Sequence, residues 1–173
     1  MDAKVSEFGK IGDILVLPLF QGTDKAPNNA LNGLSRTQRS LVNDALSSDS
    51  FSGKSGQHLH VWTAESQVVL VGMGECPSEK ECRDGGAKTL AAISKDQGTN
   101  ITVRFTTGWT TSMMSLFAEG MILRDYEFDK YLQKDDDDDQ ADWILDCQAS
   151  ARHQDLLHSA VTKSIAISKG VHT

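Results

Sequence analysis

Two glycine-rich segments are the first candidates for chemistry, because glycine-rich turns can hold phosphate groups. Residues 71–74, Val-Gly-Met-Gly, follow an apolar run that predicts a strand. A dinucleotide site needs the pattern GxGxxG with its third glycine opening a helix, but Pro77 and Ser78 occupy that region. Residues 53–56, Gly-Lys-Ser-Gly, lack the GxxxxGKS/T spacing of a P-loop. We therefore interpret both segments as tight turns.

Histidines and aspartates are the possible metal ligands. His58 and His60 alternate along a predicted strand, so both project from one face and could share a metal, but spacing suggests no third ligand. His153 and His158 are five apart in a predicted helix, which places them on different faces. The aspartate run at 135–139 lacks the alternating ligands and glycine of an EF-hand. We expect packed or surface histidines and a solvated acidic loop.

The cysteines show no pattern of a framework or a catalytic site. Cys76, Cys82 and Cys147 follow no CxxC spacing, which argues against a disulfide or zinc scaffold. A nucleophilic thiol needs a histidine base beside it, which this spacing does not indicate, and free buried thiols are commoner. The sequence contains no GxSxG or HExxH motif. It therefore assigns no catalytic, metal-binding or substrate-binding residue.

Length and composition limit the class of protein. The chain has 173 residues, 39% hydrophobic and 24% charged, which suits one domain with a buried core. It lacks a run of about 20 apolar residues for a membrane helix, and its first ten residues lack the apolar core of a signal peptide. We expect a soluble cytoplasmic protein. The net charge is −7, mostly from the aspartate run, and without a basic stripe direct nucleic-acid binding by this chain alone is not expected.

Strand and helix patterns alternate along the chain, which predicts a three-layer α/β fold. Strands are predicted at 14–20, 58–62, 68–71, 101–105 and 143–147. The second and third of these are close enough for a hairpin, so we expect a mixed sheet. Helices are predicted after the caps Ser35 and Ser78, after Thr111 or Ser112, and over 151–169 before Gly170. Loops are predicted at 21–33 and from 124 through the aspartates.

Several positions in and near these helices lead to further predictions. Gly85 and Gly86 lie inside the second helix, where each costs about 1 kcal/mol relative to alanine, so we expect that helix to pack closely on the sheet. The last helix carries an apolar stripe that needs a partner surface, either its own sheet or another domain: Leu156, Leu157, Ala160, Val161, Ile165 and Ser168. Trp109, Met113 and Met114 could drive association but are as easily core residues.

Taken in order, several segments resemble the N-terminal domain of the leucyl aminopeptidase family, the cytosolic two-metal exopeptidases. The segments are the strand at 14–20, Phe-Ser-Gly-Lys-Ser-Gly at 51–56, the stretch at 69–74 and Arg-Asp-Gly-Gly-Ala at 83–87. The most specific is 118–131, which looks like the family's segment with a Glu-Gly pair and a Tyr-x-Phe-Asp-x-Tyr pattern. The resemblance covers nearly the whole chain.

The resemblance implies a macro-domain-like α/β domain over 1–150 and a linker helix over 151–173 that leads toward a C-terminal catalytic domain outside this sequence. That domain would hold two divalent metals, of zinc or manganese type, and its Asn-Thr-Asp-Ala-Glu-Gly-Arg motif does not occur here. No metal ligand or catalytic residue is therefore carried over. We expect a non-catalytic domain that serves assembly of a homo-hexamer and access to the active site of an enzyme that removes N-terminal residues from peptides. The alternatives are a stand-alone module that binds ADP-ribose or a related nucleotide, and a DNA-binding regulatory domain.

Overall fold

The computed structural model of the chain describes residues 1–23, 26, 28–131 and 142–170. The strands are β1 (Asp2–Ser6), β2 (Ile14–Leu19), β3 (His58–Trp62), β4 (Gln67–Gly72), β5 (Asn100–Arg104) and β6 (Ile144–Gln148). The helices are α1 (Arg36–Leu46), α2 (Glu79–Ala92), α3 (Thr111–Tyr131) and α4 (Ala151–Ser168), with short 3-10 helices at Asn28–Leu31 and Lys95–Gln97.

The six strands form one mixed sheet in the order β1-β6-β5-β2-β4-β3. All neighbours are parallel except β3, which is antiparallel to β4 and forms the predicted hairpin with it. The five parallel strands therefore end on the same side of the sheet. We call this side the carboxyl edge; its terminal strand residues are Ser6, Leu19, Gly72, Arg104 and Gln148.

Helices cover both faces of the sheet, so the predicted three-layer α/β architecture is confirmed. α2, α3 and α4 pack on one face, and α1 with the 3-10 helix at Asn28–Leu31 packs on the other. The central strand β2 is buried at all six positions, as its continuous apolar run predicts. β5 pairs with β2 only as far as Val16, so Pro18 lies beyond that pairing and removes no donor from it.

Local signals set most helix ends. Ser35 forms a complete capping box with Gln38: the Gln38 N–H donates to the Ser35 Oγ at 3.2 Å, and the Ser35 N–H donates to the Gln38 Oε1 at 2.8 Å. Ser78 caps α2 through the Glu81 N–H at 3.2 Å. Gly170 follows α4 with a φ of 73°, the left-handed conformation that ends helices. These predictions are confirmed.

Other boundaries differ from the predictions. α3 continues through 124–131, which was predicted as loop, and the Asp125 carboxylate in this part lies 3.0 Å from the Met1 amino nitrogen. The cap of α3 is Thr110, whose Oγ1 accepts the Met113 N–H at 3.2 Å. α2 ends at Ala92. In the predicted apolar stripe of α4, Leu157 and Val161 are buried in the core, whereas Leu156 is exposed.

The paired glycines of α2 pack differently from the prediction. An added Cβ on Gly86 would lie 2.0 Å from the Phe117 carbonyl oxygen of α3, and one on Gly120 of α3 would lie 2.0 Å from the Arg83 carbonyl oxygen of α2. The close contact is therefore between two helices rather than between helix and sheet. Gly85 faces the side chain of Met73 just beyond β4. The aspartates at 135–139 lie outside the described residues.

Candidate functional site

The carboxyl edge is the natural place for a site in this fold, because open α/β sheets bind ligands outside the carboxyl ends of their strands. Both glycine-rich segments of the sequence lie there, one before β3 and one at the end of β4. Their geometry decides whether this edge offers backbone donors to an anion.

The backbone of the second glycine segment is occupied by the chain itself. The N–H groups of Gly72, Met73 and Gly74 donate to the carbonyl oxygens of Gln57 at 2.7 Å, Leu19 at 2.9 Å and Gly53 at 2.9 Å, respectively. An added Cβ on Gly72 would meet the Lys54 carbonyl oxygen at 2.2 Å, so glycine is needed for this close approach. A phosphate loop needs free N–H groups, and these three N–H groups are instead used to hold a tight turn.

A small cavity lies beside this turn, between β3 and α2. It has a volume of about 50 Å³, and its polar lining includes Ser55, His58, Glu81, Asp84 and Lys88. Sites for drug-sized ligands and cofactors occupy roughly 300–1,000 Å³, so this cavity admits water-sized molecules and not a nucleotide.

His58 closes the cavity and is held by hydrogen bonds rather than available as a ligand. Its Nδ1 lies 3.1 Å from the Gly56 carbonyl oxygen, which assigns the proton to Nδ1, and its Nε2 lies 3.3 Å from the Thr89 Oγ1. Burial lowers the pKa of His58 below its ordinary value of 6.5, against the opposing effect of the Gly56 carbonyl. The imidazole is therefore neutral at physiological pH.

Arg104, the last residue of β5, fills the crevice farther along the carboxyl edge. Its side chain is fully buried. The guanidinium donates to the Gln148 Oε1 at 2.8 Å and to the carbonyl oxygens of Ala30 at 3.0 Å, Asn32 at 2.5 Å and Gly9 at 2.6 Å. One cation thus joins the ends of β5 and β6 to the loops that follow β1 and β2.

The Asp146 carboxylate balances the buried charge of Arg104, and the Gln148 side-chain amide lies between the two. The Gln148 Nε2 donates to the Asp146 Oδ2 at 3.0 Å, and the Ser6 Oγ donates to the Asp146 Oδ1 at 2.7 Å. Burial lowers the pKa of Arg104, and the nearby Asp146 carboxylate opposes that change. The hydrogen-bonding groups of Arg104, Gln148 and Asp146 are thus used within the chain rather than offered to a ligand, and the network cross-links the strand ends and loops.

Aromatic side chains fill the edge beyond β2. Trp109 lies with its ring centroid 5.4 Å from that of Phe20, 4.9 Å from that of Phe105 and 5.8 Å from that of Phe117. Its indole N–H donates to the Pro18 carbonyl oxygen at 3.1 Å. Trp109 and Met114 are therefore core residues, and Met113 packs partly buried against the same core.

His60, His153 and His158 lie apart from one another and make separate contacts. His60 contacts the Gln67 amide and stacks on Trp62, with ring centroids 6.3 Å apart. His153 bonds Thr111 at 2.6 Å, whereas His158 is exposed on α4, so the two lie on different faces as predicted. In the part of the chain that the structure describes, no group of three or more His, Cys, Asp or Glu side chains could hold a metal ion.

The cysteines are free thiols, as predicted. Cys76 is exposed, and Cys82 and Cys147 are buried. Burial raises the pKa of Cys82 and raises that of Cys147 to about 12. Both buried thiols therefore stay protonated, and a protonated thiol is a poor nucleophile.

Comparison with known proteins identifies the fold and the family. The model of the cytosol aminopeptidase family, N-terminal domain, matches residues 16–135, which is more than half of the chain. The chain belongs to this family. A probable cytosol aminopeptidase of Protochlamydia amoebophila (strain UWE25) is 29% identical over 140 residues, covering 76% of this chain and 27% of that protein.

Solved structures show the same fold. A mutant of tomato leucine aminopeptidase superimposes with a TM-score of 0.74 at 21% identity, covering 99% of this chain and 36% of that one. The bottromycin maturation enzyme BotP in complex with Mn matches with a TM-score of 0.53 at 15% identity, covering 91% and 30%. This member of the cytosol aminopeptidase family thus spans about a quarter to a third of the proteins it matches.

Two of the family-like segments, 83–87 and 118–131, meet at the crossing of α2 and α3. Gly86 of the first segment and Gly120 of the second let the two backbones approach, and Arg83 pairs with Glu119 beside them at 3.6 Å. These residues are used for packing. Among the described residues, no helix is both long and apolar enough to cross a bilayer.

The Arg104 network was not predicted from the sequence. The signal was present, since a cation follows Ile-Thr-Val in an otherwise apolar strand, and a charge at such a position must be paired when the strand is buried. Its four partners come from three separate parts of the chain, and only the fold brings them together.

Proposed function

We propose that this chain is the non-catalytic N-terminal domain of a cytosolic leucyl aminopeptidase, and that it serves assembly and access to the active site. The observation that carries the proposal is the family match over residues 16–135 in a chain that spans 27% of its curated relative. The reaction, removal of N-terminal residues from peptides, then belongs to the remaining part of the longer protein.

The packing of the carboxyl edge supports a scaffolding role. Arg104, Trp109 and the Gly72 turn fill the crevice in which an α/β domain of this kind would otherwise bind a ligand. A domain with this crevice closed acts on its partners through its outer surface.

The proposal includes finer features of the longer protein. The catalytic part would hold two divalent metals of zinc or manganese type, and α4 would lead toward it. The longer protein would form a homo-hexamer in the cytoplasm, and the α/β domain would be of the macro-domain type.

The decisive experiment compares the 173-residue chain with the longer protein encoded by the same reading frame. Both are assayed for release of leucine from a leucyl peptide with added Mn²⁺ or Zn²⁺. We expect turnover only from the longer protein. A version with a substituted metal ligand in the added part controls for contaminating peptidases. Turnover by the 173-residue chain alone would contradict the proposal, as would a reading frame without a metal-binding part.

The two alternative functions have direct tests. Calorimetry with millimolar ADP-ribose would give heat if the domain bound nucleotides, and we expect none because the cavity beside Gly72 admits only water-sized molecules. Gel retardation at low salt would reveal DNA binding, and we expect none from a chain of net charge −7.

A further inference from the structure

The outer side of β3 is an open strand edge. In the register of the hairpin, Gln57 opposes Gly72 and Thr63 opposes Ser66, and both pairs are joined by backbone hydrogen bonds, at 2.7 Å and 3.2 Å. Because hydrogen-bonded and non-bonded pairs alternate in an antiparallel ladder, the odd-numbered residues of β3 bond β4. The N–H and C=O groups of the even-numbered residues point away from the sheet: His58, His60 and Trp62. Among the described residues, no strand pairs with this side.

This edge lacks the features that usually prevent strand pairing. β3 contains no lysine, no proline and no acidic residue, and its terminal Trp62 is 58% exposed. The opposite edge strand, β1, carries Asp2 and Lys4, and α4 packs beside it with Lys169 3.4 Å from Asp2. One edge of the sheet is thus protected and the other is open.

We propose that two copies of this chain pair through β3, antiparallel and across a two-fold axis at His60. In that register His60 opposes His60 of the second copy, and His58 opposes Trp62. These are the residues whose backbone groups point outward, so each pair forms two hydrogen bonds, about six in all. The two sheets become one continuous sheet.

The side chains of β3 complement a second copy of the same strand. On the face toward α1, Leu59 opposes Val61 of the second copy, which joins two partly buried apolar residues. On the other face the exposed indole of Trp62 covers the imidazole of His58. Since the strand contains no Asp, Glu, Lys or Arg, the symmetric contact places no two such side chains of like charge opposite each other.

The position of the chain end favours a second copy over a following segment of the same chain. Gly170 follows α4, which packs on β1 at the far edge of the sheet. Five strand spacings separate β1 from β3, about 24 Å at 4.8 Å each. The polypeptide that follows therefore starts far from the open edge. The pairing gives the proposed assembly role a specific surface and rests on that role for its biological meaning.

The test measures the mass of the 173-residue chain by light scattering after size exclusion, over a range of concentrations. We expect a dimer of the 18.9 kDa chain. His60→Lys places two ammonium groups opposite each other at the axis and should raise the dissociation constant at least about tenfold. His158→Lys makes the same substitution on the exposed surface of α4 and should leave it unchanged. A chain monomeric at every concentration, or a dimer indifferent to His60→Lys, would overturn the pairing.

Amide hydrogen exchange provides a second readout that does not depend on a variant. Raising the protein concentration should slow exchange at His60 and Trp62 while leaving Leu59 and Val61 unchanged, because the latter already bond β4. Equal slowing at odd and even positions, or none at the even ones, would refute the proposed register. Neither result bears on the peptidase assay, so the two proposals fail separately.

Discussion

Replacing Gly86 by alanine should destabilise the domain although alanine is the better helix former. The added Cβ would lie 2.0 Å from the Phe117 carbonyl oxygen, 2.9 Å from its carbonyl carbon and 3.1 Å from the Met121 nitrogen. All three are backbone atoms of α3 and cannot turn aside as a side chain can. The two helices must therefore move apart by roughly 1 Å, in an interface packed to the density of a protein interior.

The magnitude follows from two opposing effects. Alanine in place of glycine gains about 1 kcal/mol of helix stability. Overpacking costs about 1–3 kcal/mol where side chains can adjust, and a backbone clash lies at the upper end of that range or above it. We expect Gly86→Ala to lower the free energy of unfolding by about 2 kcal/mol. Gly120→Ala meets the Arg83 carbonyl oxygen at the same 2.0 Å and should cost a similar amount.

The neighbouring glycine supplies the control. A Cβ on Gly85 would touch the Met73 side chain at 3.1 Å, and a flexible methionine can give way, so Gly85→Ala should change stability by less than about 1 kcal/mol. In urea unfolding, with a slope of about 2 kcal/mol per molar, Gly86→Ala should lower the midpoint by about 1 M. Because Gly86→Ala and Gly120→Ala separate the same two helices, the double variant should lose less stability than the sum of the losses in the two single variants. Equal midpoints for Gly85→Ala and Gly86→Ala would refute the reasoning.

Three further predictions concern buried polar groups. Arg104→Met leaves its carbonyl partners unpaired and should cost roughly 3–5 kcal/mol in urea unfolding; an unchanged midpoint would show that the network adds no stability. Because burial lowers the pKa of His58 in the folded protein, the unfolded chain takes up the proton first. The free energy of unfolding should therefore fall as the pH drops below about 6.5. His58→Gln should remove this part of the loss of stability between about pH 7.5 and 5.5. Equal pH slopes in the two proteins would contradict this. A thiol reagent should modify Cys76 quickly in the folded protein and reach Cys82 and Cys147 only in denaturant, and rapid labelling of all three would disprove their burial.

Sequence patterns predicted the elements whose signals are local. The apolar run of β2 is buried on both faces because helices cover both sides of the sheet. The capping box at Ser35 satisfies two orphan backbone donors wherever the helix packs, so its prediction did not depend on the fold. The short polar turn between β3 and β4 likewise determined the hairpin and with it the mixed sheet.

The elements that were missed depend on distant partners. β1 is only five residues long and partly polar, and it becomes a strand because β6 pairs with it from the other end of the sequence. The second half of α3 has the composition of a solvated loop, but Asp125 binds the Met1 amino group there. Gly86 signalled close packing, yet whether its neighbour is a sheet or a helix is decided by topology alone.

Contacts between distant parts of the chain also account for part of the family resemblance. The segments at 83–87 and 118–131 meet where α2 crosses α3, with Gly86 and Gly120 at the contact and Arg83 beside Glu119. Gly86 and Gly120 are required for the two helix backbones to approach, and that requirement is independent of any reaction. These two segments of the resemblance therefore meet at a helix contact that builds the scaffold. The resemblance identifies the family of the domain, and the peptidase chemistry proposed above is assigned to the longer protein rather than to this scaffold.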